Sequence, residues 1–398
     1  MIFLQIVLWS AIAAVLHTYI GYPVGIYMRS RHEKEVEDAT ASNVELPSVT
    51  VLIPAHNEER WIARKIENAI ALEYPRERRH ILIACDGCTD RTVAIAESYA
   101  QDGVEVQQYR QRRGKTALLN RVIPTVATEI VVVTDATAQL SPEALQLLGN
   151  HFKDPHVGCV TGPRVCVPTE SAASEGEGLY WRYEAWVKRS ESRLGTCLGA
   201  NGQVMAVRKS LFPHLPDIND DFYVGMKVLV FDRAKVLFEP GAKAFIPSAA
   251  TLRQELERKI RTNVCFLRDM HYLKQGLNPR RSPIWWRLLS HHVMRRIVPF
   301  AMIVALTGAL LLWHEGGLYR LLSVAQVAFY SSAIVGFLLE RRHARLRIFY
   351  FPFYFCFANL AVLLAWTRWL RGTQQYAWQR AERMLPTVQP PTTGADVR

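Results

Sequence analysis

A carboxylate at the end of an apolar run is the first feature of this 398-residue chain that could do chemistry: Ile130-Val131-Val132-Val133-Thr134 runs directly into Asp135. Four consecutive aliphatic residues predict a strand buried on both faces, and parallel sheets bind ligands beyond the carboxyl ends of their strands. Asp135 then stands at the mouth of a site, although a residue that only opens the turn toward Ser141-Pro142 would look the same. Three further stretches succeed predicted strands. Pro54-Ala55-His56-Asn57-Glu58-Glu59 opens a helix after the first apolar run. Cys85-Asp86-Gly87-Cys88-Thr89-Asp90 comes after the second, with Gly87 suited to a tight turn and Asp90 to a helix cap. Arg110-Gln111-Arg112-Arg113-Gly114-Lys115 is a basic, glycine-containing loop suited to phosphate. Singly, each reads equally well as a cap, a turn or solvated charge. Jointly, at the ends of strands, they read as the lining of one cleft.

The elements that must hold these residues are legible from periodicity. Strands are predicted at Val49 to Ile53, His80 to Cys85, Val104 to Tyr109 and Ile130 to Thr134. Helices are predicted at Glu58 to Leu72, with Ile62, Ile66 and Ile70 on one face, and at Asp90 to Ala100, Pro142 to Phe152 and Tyr180 to Leu194. Further strands are expected near Val157 to Thr161, Gln203 to Val207 and Lys235 to Phe238. This alternation predicts an α/β domain over residues 48–250, an open, mostly parallel sheet flanked by helices.

Membrane segments flank that domain. Hydrophobic residues make up 49% of the chain and charged residues 21%, with a mean hydropathy of +0.01, a mixture that implies soluble and membrane parts together. Residues 1–28 form an apolar segment long enough to cross a bilayer. Ala11-Ile12-Ala13 resembles a signal cleavage site, but no positive charge precedes the run and it is too long, so a retained anchor is expected. Residues 29–47 read as a polar linker whose Arg29, Arg31 and Lys34 place the α/β domain in the cytoplasm. Residues 251–296 carry apolar positions at helical spacing among charges, then Trp with Arg, as in helices lying in the membrane interface. Residues 297–370 hold three long apolar segments, and 371–398 a basic tail ending in a disordered reach. Glu340 to Arg345 belongs in the cytoplasm by charge, which leaves two outcomes open: a last segment made re-entrant around Pro352, or a failure of the charge rule there.

The net charge of +12 is accounted for by such flanks. Nucleic acid is excluded as a partner by the lack of a zinc-ligand set, an RNA-binding aromatic signature or a basic low-complexity tail. Seven scattered Cys do not form a fully paired disulfide framework, and Cys85-Asp86-Gly87-Cys88 has no second pair to complete a zinc site.

Taken in order, Pro-Ala-His-Asn-Glu-Glu, Asp-Gly-Cys-Thr-Asp, Arg-Gly-Lys-Thr-Ala-Leu-Leu-Asn, Thr-Asp-Ala-Thr and Asp220-Asp221-Phe222 resemble the membrane-bound family-2 glycosyltransferases. These are inverting enzymes of the cellulose, hyaluronan and poly-N-acetylglucosamine synthase type, and the resemblance covers about Val49 to Met270. It implies a GT-A fold. It further implies that Ala55, His56 and Glu58 belong to the nucleotide-sugar loop, that Asp86 reads a uracil ring, and that Lys115 lies near the donor. By the same resemblance Asp135 holds a divalent Mg or Mn on the diphosphate, Asp221 is the general base, and Asp220, Arg258 and Arg261 lie at the acceptor and diphosphate. The implied partners are a UDP-sugar, a polysaccharide or lipid-linked acceptor, membrane lipids and an accessory membrane subunit.

Several positions depart from the family. His56 stands where Tyr is common, Thr137 replaces the second Asp of Asp-X-Asp, and Arg258 and Thr262 replace the Gln and Trp of the Gln-X-X-Arg-Trp motif. The leading expectation is an inverting transferase of the cell membrane, its catalytic domain cytoplasmic, extending and exporting a polysaccharide. The alternatives are single-sugar transfer to a lipid-linked acceptor, or a non-catalytic scaffold that keeps the fold.

Overall fold

The structure, a computed structural model, describes residues 1–33, 45–167, 172–216, 220–247, 251–342 and 346–372. The chain opens with α1 (Ile2–Leu16), a π turn, and α2 (Tyr22–Ser30), a continuous apolar helical run. Strands and helices then alternate: β1 (Val49–Ala55), α3 (Ile62–Ile70), β2 (Arg79–Asp86), α4 (Thr92–Glu97), β3 (Val104–Tyr109), α5 (Lys115–Val122) and β4 (Ile130–Val133). After these come β5 (Gln139–Leu140), α6 (Ala144–His151), β6 (Val157–Thr161), β7 (Arg164–Val167), α7 (Ala172–Arg193), β8 (Met205–Arg208), α8 (Asp220–Val230), β9 (Lys235–Phe238) and β10 (Ala244–Pro247). The helices α9 (Leu252–Leu273), α10 (Trp285–Leu288), α11 (Met294–Leu311), α12 (Gly317–Arg341) and α13 (Tyr350–Leu370) come last.

These elements divide into two compact units. One holds the described residues of 30–167 and 181–248; the other holds 1–29 and the described residues of 168–180 and 249–375.

The first unit is built on a seven-stranded sheet of order β3-β2-β1-β4-β8-β6-β9. The pairs β3/β2, β2/β1, β1/β4 and β6/β9 run parallel, while β8 runs antiparallel to both β4 and β6. The mostly parallel α/β sheet expected from the sequence is therefore present, with one reversed strand inserted. Its interior strands keep the period of two. Val49, Val51, Ile53 and Ala55 of β1 face one core with Ile81, Ile83, Ile130 and Val132. Leu52 faces the other with Leu82, Ala84, Val131 and Val133. Helix α3 covers the first face through Ile62, Ile66 and Ala69; α5 covers the second through Leu118, Leu119 and Val122. A small sheet, β5-β10-β7, completes the unit.

Boundaries differ from the sequence reading where a local contact intervenes. The helix expected over Asp90 to Ala100 shortens to α4: at its start the Asp90 carboxylate accepts from the N–H of Thr92 at 3.0 Å, and beyond Glu97 the chain passes into a 3₁₀ turn at Ala100–Asp102. The strand expected from Gln203 begins only at Met205, which leaves Gln203 on a loop.

In the second unit four helices are long and apolar enough to cross a membrane: Ile2–Ser30, Trp285–Leu311, Gly317–Arg341 and Tyr350–Leu370. Leu8 and Ala11 meet Ala301, Ala305 and Ala309, small residues that let α1 and α11 approach closely. The apolar helix that starts at Trp285 runs to Leu311, so the break expected near 296 falls inside it. Pro352 lies in the first turn of α13, where no intrahelical N–H is needed, and the helix continues unbroken to Leu370. Of the expected linker and tail, residues 34–44 and 373–398 lie outside the described residues.

Leu52 is 0% exposed at the centre of the sheet. Leu52→Ala leaves a cavity between β1 and α5 and should cost about 2–5 kcal/mol. A fall in thermal midpoint of the detergent-solubilised protein checks this; an unchanged midpoint contradicts the assigned core.

Candidate active site

Three parallel strands finish side by side. Ala55 at the end of β1 is in register with Cys85, one residue before the end of β2, and Leu52 pairs with Val133, the last residue of β4. The loops that leave these ends, 56–59, 87–90 and 134–138, therefore emerge at one edge of the sheet, the carboxyl edge expected to bind ligand.

Asp86 organises the basic loop. It is 3% exposed, and its two carboxylate oxygens accept the backbone N–H groups of Arg113 at 2.9 Å and Gly114 at 2.7 Å. Gly87 makes the close approach possible: its φ is +62°, and a Cβ there would stand 2.6 Å from the N of Arg112. The amides nearest the basic side chains are thus fixed by a buried carboxylate, whose oxygens can each accept more than one hydrogen bond. His56 is held alongside by its Nδ1, which donates to the Asp86 carbonyl at 2.6 Å.

Asp135 and Asp221 come together through a loop that sequence reasoning missed. Lys115 Nζ lies 3.0 Å from Asp135 Oδ1, and Gln203 Nε2 donates to Asp135 Oδ2 at 3.0 Å. The preceding residue, Gly202, donates its backbone N–H to Asp221 Oδ2 at 2.9 Å. A Cβ on Gly202 would meet that same oxygen at 3.0 Å, so the approach favours glycine. Consecutive residues of one loop thereby hold the two carboxylates. The loop is itself fixed by Thr161 Oγ1, which accepts from Asn201 N at 2.9 Å, and by Glu191, which accepts from Leu198 N at 3.0 Å.

Beneath the Asp135 loop lies a fully buried lysine. Lys65 is 0% exposed, and its Nζ donates to Thr134 Oγ1 at 3.0 Å and to the Ala138 carbonyl at 2.6 Å. Thr134 Oγ1 in turn donates to the Gln203 carbonyl at 2.9 Å. Burial pulls the Lys65 pKa down from 10.5 to about 7, with the Asp135 carboxylate acting in the opposite sense. Its signal in the sequence was a cation on the buried stripe of α3, between Ile62 and Ile66.

Other expected residues stand differently. Ala55 is 0% exposed with its methyl in the core, so any contact from it to a nucleobase falls to backbone. Glu58 is buried, and its N–H donates to Thr92 Oγ1 at 2.7 Å, tying the first loop to α4. Asp220 opens α8. Arg258 and Arg261 belong to the other unit, where Arg258 pairs with Glu177 at 2.6 Å and Glu255 at 2.7 Å. Cys85 and Cys88 are free thiols. Cys88 Sγ donates to the Ala55 carbonyl at 3.6 Å, and the interaction of the two neighbouring thiols, with burial, pushes the Cys85 pKa up while that of Cys88 goes down.

Among the described residues no group of three or more His, Cys, Asp or Glu is placed to hold a metal ion. Asp135 is a single carboxylate, and Thr137 stands two residues beyond it. That donor set fits a hard divalent cation only in company with a diphosphate, since Mg²⁺ readily takes one or two carboxylates with phosphate oxygens and water.

Residues 50–214 match the family described as Glycosyl transferase family 2. The chain is 30% identical over 211 residues to a beta-monoglucosyldiacylglycerol synthase of Nostoc sp., covering 50% of this chain and 44% of that protein. A protein of the same description from Synechocystis sp. is 29% identical over 174 residues, 42% of this chain and 36% of its own length. The chain thus spans less than half the length of these relatives. Among solved structures, the mannosyltransferase PcManGT from Pyrobaculum calidifontis, in complex with GDP-Man and Mn²⁺, superposes with a TM-score of 0.69 at 20% identity, over 93% of this chain and 100% of that one. The shared fold is GT-A-like: a mixed, mostly parallel sheet with helices, an N-terminal apolar helix and three C-terminal ones. The stretch 50–214, which carries most of the sheet and its carboxylate-lined edge, is thus similar to glycosyl transferase family 2 domains.

Proposed function

We propose that this protein transfers a single hexose from a UDP-sugar to the hydroxyl of a membrane lipid, with inversion, at the cytoplasmic face. The observation that carries the transfer reading is the pairing of Asp135 and Asp221 by the consecutive residues Gln203 and Gly202. One carboxylate is held with a cation, Lys115, and the other with a backbone amide, a division suited to diphosphate and acceptor respectively. Four apolar helices and relatives named for a glucolipid product support a lipid acceptor. The polysaccharide expected from the sequence gives way on that ground, and the replacement of Gln and Trp by Arg258 and Thr262 in the motif of polymer-forming members agrees.

In this reading His56 and Asp86 meet the base, and the amides and side chains of 112–115 meet the diphosphate. Asp221 takes the proton of the acceptor hydroxyl as its oxygen bonds to the anomeric carbon, while the bond from that carbon to the diphosphate breaks on the opposite side. Backbone N–H groups orient both carboxylate oxygens of Asp221, that of Gly202 at Oδ2 (2.9 Å) and that of Phe222 at Oδ1 (2.8 Å). Lys115 stabilises the charge gathering on the departing diphosphate. Asp135 would hold Mg²⁺ or Mn²⁺, which when bound supplies further positive charge to the same oxygens.

Asp221→Asn is expected to keep donor affinity and lose about 10²- to 10⁴-fold in turnover, the usual worth of a positioned base. Equal rates of nucleotide release from parent and variant in bilayers would remove Asp221 from the mechanism. Chelation with EDTA should lower turnover and added Mn²⁺ or Mg²⁺ restore it; full activity in chelator would strike out the metal assignment. A panel of radiolabelled UDP- and GDP-sugars, offered with diacylglycerol-containing vesicles, should give one labelled lipid from a UDP-sugar. A ladder of products, or release from no donor, overturns single-sugar transfer.

A further inference from the structure

Lys65 is a fully buried ionisable group that the transfer reading leaves unused. An apolar side chain would fill its place on the α3 stripe at far lower desolvation cost, so its presence calls for an account in terms of what it holds. Its Nζ reaches two acceptors, Thr134 Oγ1 at 3.0 Å and the Ala138 carbonyl at 2.6 Å. These are the first and last residues of the segment Thr134-Asp135-Ala136-Thr137-Ala138, which carries the proposed diphosphate and metal carboxylate. The Thr134 hydroxyl passes the contact on to the Gln203 carbonyl at 2.9 Å, and the Gln203 amide holds Asp135 Oδ2 at 3.0 Å. One amino group inside the core therefore braces both ends of the loop and, through Thr134, the residue that orients Asp135.

We propose that Lys65 is a positioning residue for donor binding and diphosphate departure, acting from within the core through Thr134, Ala138 and Gln203 to hold Asp135 in one geometry. The inference rests on the transferase reading of the edge and adds to it a residue that touches neither substrate. Groups that orient a ligand from behind typically change affinity or activity by about 10–100-fold when removed. The loss should fall on the donor side. The acceptor base, Asp221, is held by the backbone N–H groups of Gly202 and Phe222, whereas Lys65 donates to Thr134 and Ala138.

The test uses the full chain in bilayers, with Lys65→Met as a variant of similar length without the amino group. Steady-state rates should show kcat/KM for the nucleotide sugar falling by about 10–100-fold, with the acceptor KM unchanged. Calorimetric titration of UDP with Mn²⁺ should show a matching loss of affinity. Thr134→Val, which removes the relay hydroxyl, should act in the same direction and add little in combination with Lys65→Met; Thr134→Ser, which keeps the hydroxyl, should stay near the parent. Donor parameters and UDP affinity unchanged in a folded Lys65→Met protein overturn the proposal. So do donor and acceptor parameters falling together with the folded fraction, or a Thr134→Ser protein as impaired as Thr134→Val. If Lys65→Met does not fold, the Thr134 pair decides by the same criteria. Should the parent transfer no sugar, the transferase reading fails by itself, and the UDP titration still decides: weaker binding in the variants upholds the brace and equal binding overturns it.

Discussion

The arrangement of the candidate site depends on two adjacent hydrogen bonds, from the backbone N–H of Gly202 to Asp221 and from the side-chain amide of Gln203 to Asp135. Without the close approach of Gly202, two carboxylates on separate elements would be free to settle independently. The roles proposed for them require a fixed separation, because in-line displacement needs the proton acceptor and the leaving-group cation on opposite sides of one carbon. The loop is fixed by the buried partners Thr161 and Glu191 and leads directly into β8, whose reversed direction brings it to the edge where β1, β2 and β4 end. Chain direction, in this sense, decides the chemistry.

Buried polar groups recur beneath this edge, and each anchors a segment that carries a functional group. Asp86 fixes the amides at 113 and 114, Lys65 fixes the ends of the Asp135 loop, and Glu191 fixes Leu198. A hydrogen bond to a charged group in the interior is stronger than one in water, and leaving such a group unpaired is correspondingly costly. Loops held in this way need little reorganisation when charge develops on a substrate, which is the physical basis of electrostatic preorganisation.

The other unit is held together by different contacts. Two of its apolar helices join where Leu8 and Ala11 of α1 meet the alanines of α11, small residues that permit close backbone approach. Its charged groups pair within the unit, Arg258 with Glu177 and Glu255, and Arg368 with Glu257 at 2.6 Å. For Arg258 that ion pair is an observed partner, and any part it takes in handling an acceptor must be shared with these carboxylates.

By itself the sequence determined the alternating strands and helices, the apolar helices and the placement of Asp135, Asp86 and His56 at or just beyond strand ends. Those features come from local periodicity and from short-range turn chemistry, both written in neighbouring residues. Tertiary structure alone decided the rest. The antiparallel setting of β8 turned Gln203 from a strand residue into the group that holds Asp135, because register and direction depend on partners far along the chain. Lys65 looked like one more polar residue on an amphipathic helix until Thr134 and Ala138, some seventy residues away, were seen to accept its protons. Asp86, read from the resemblance as a base contact, proved to hold the backbone of a loop 27 residues on. Such pairings form only when the chain closes on itself, and no local pattern encodes which distant acceptor a buried donor will find.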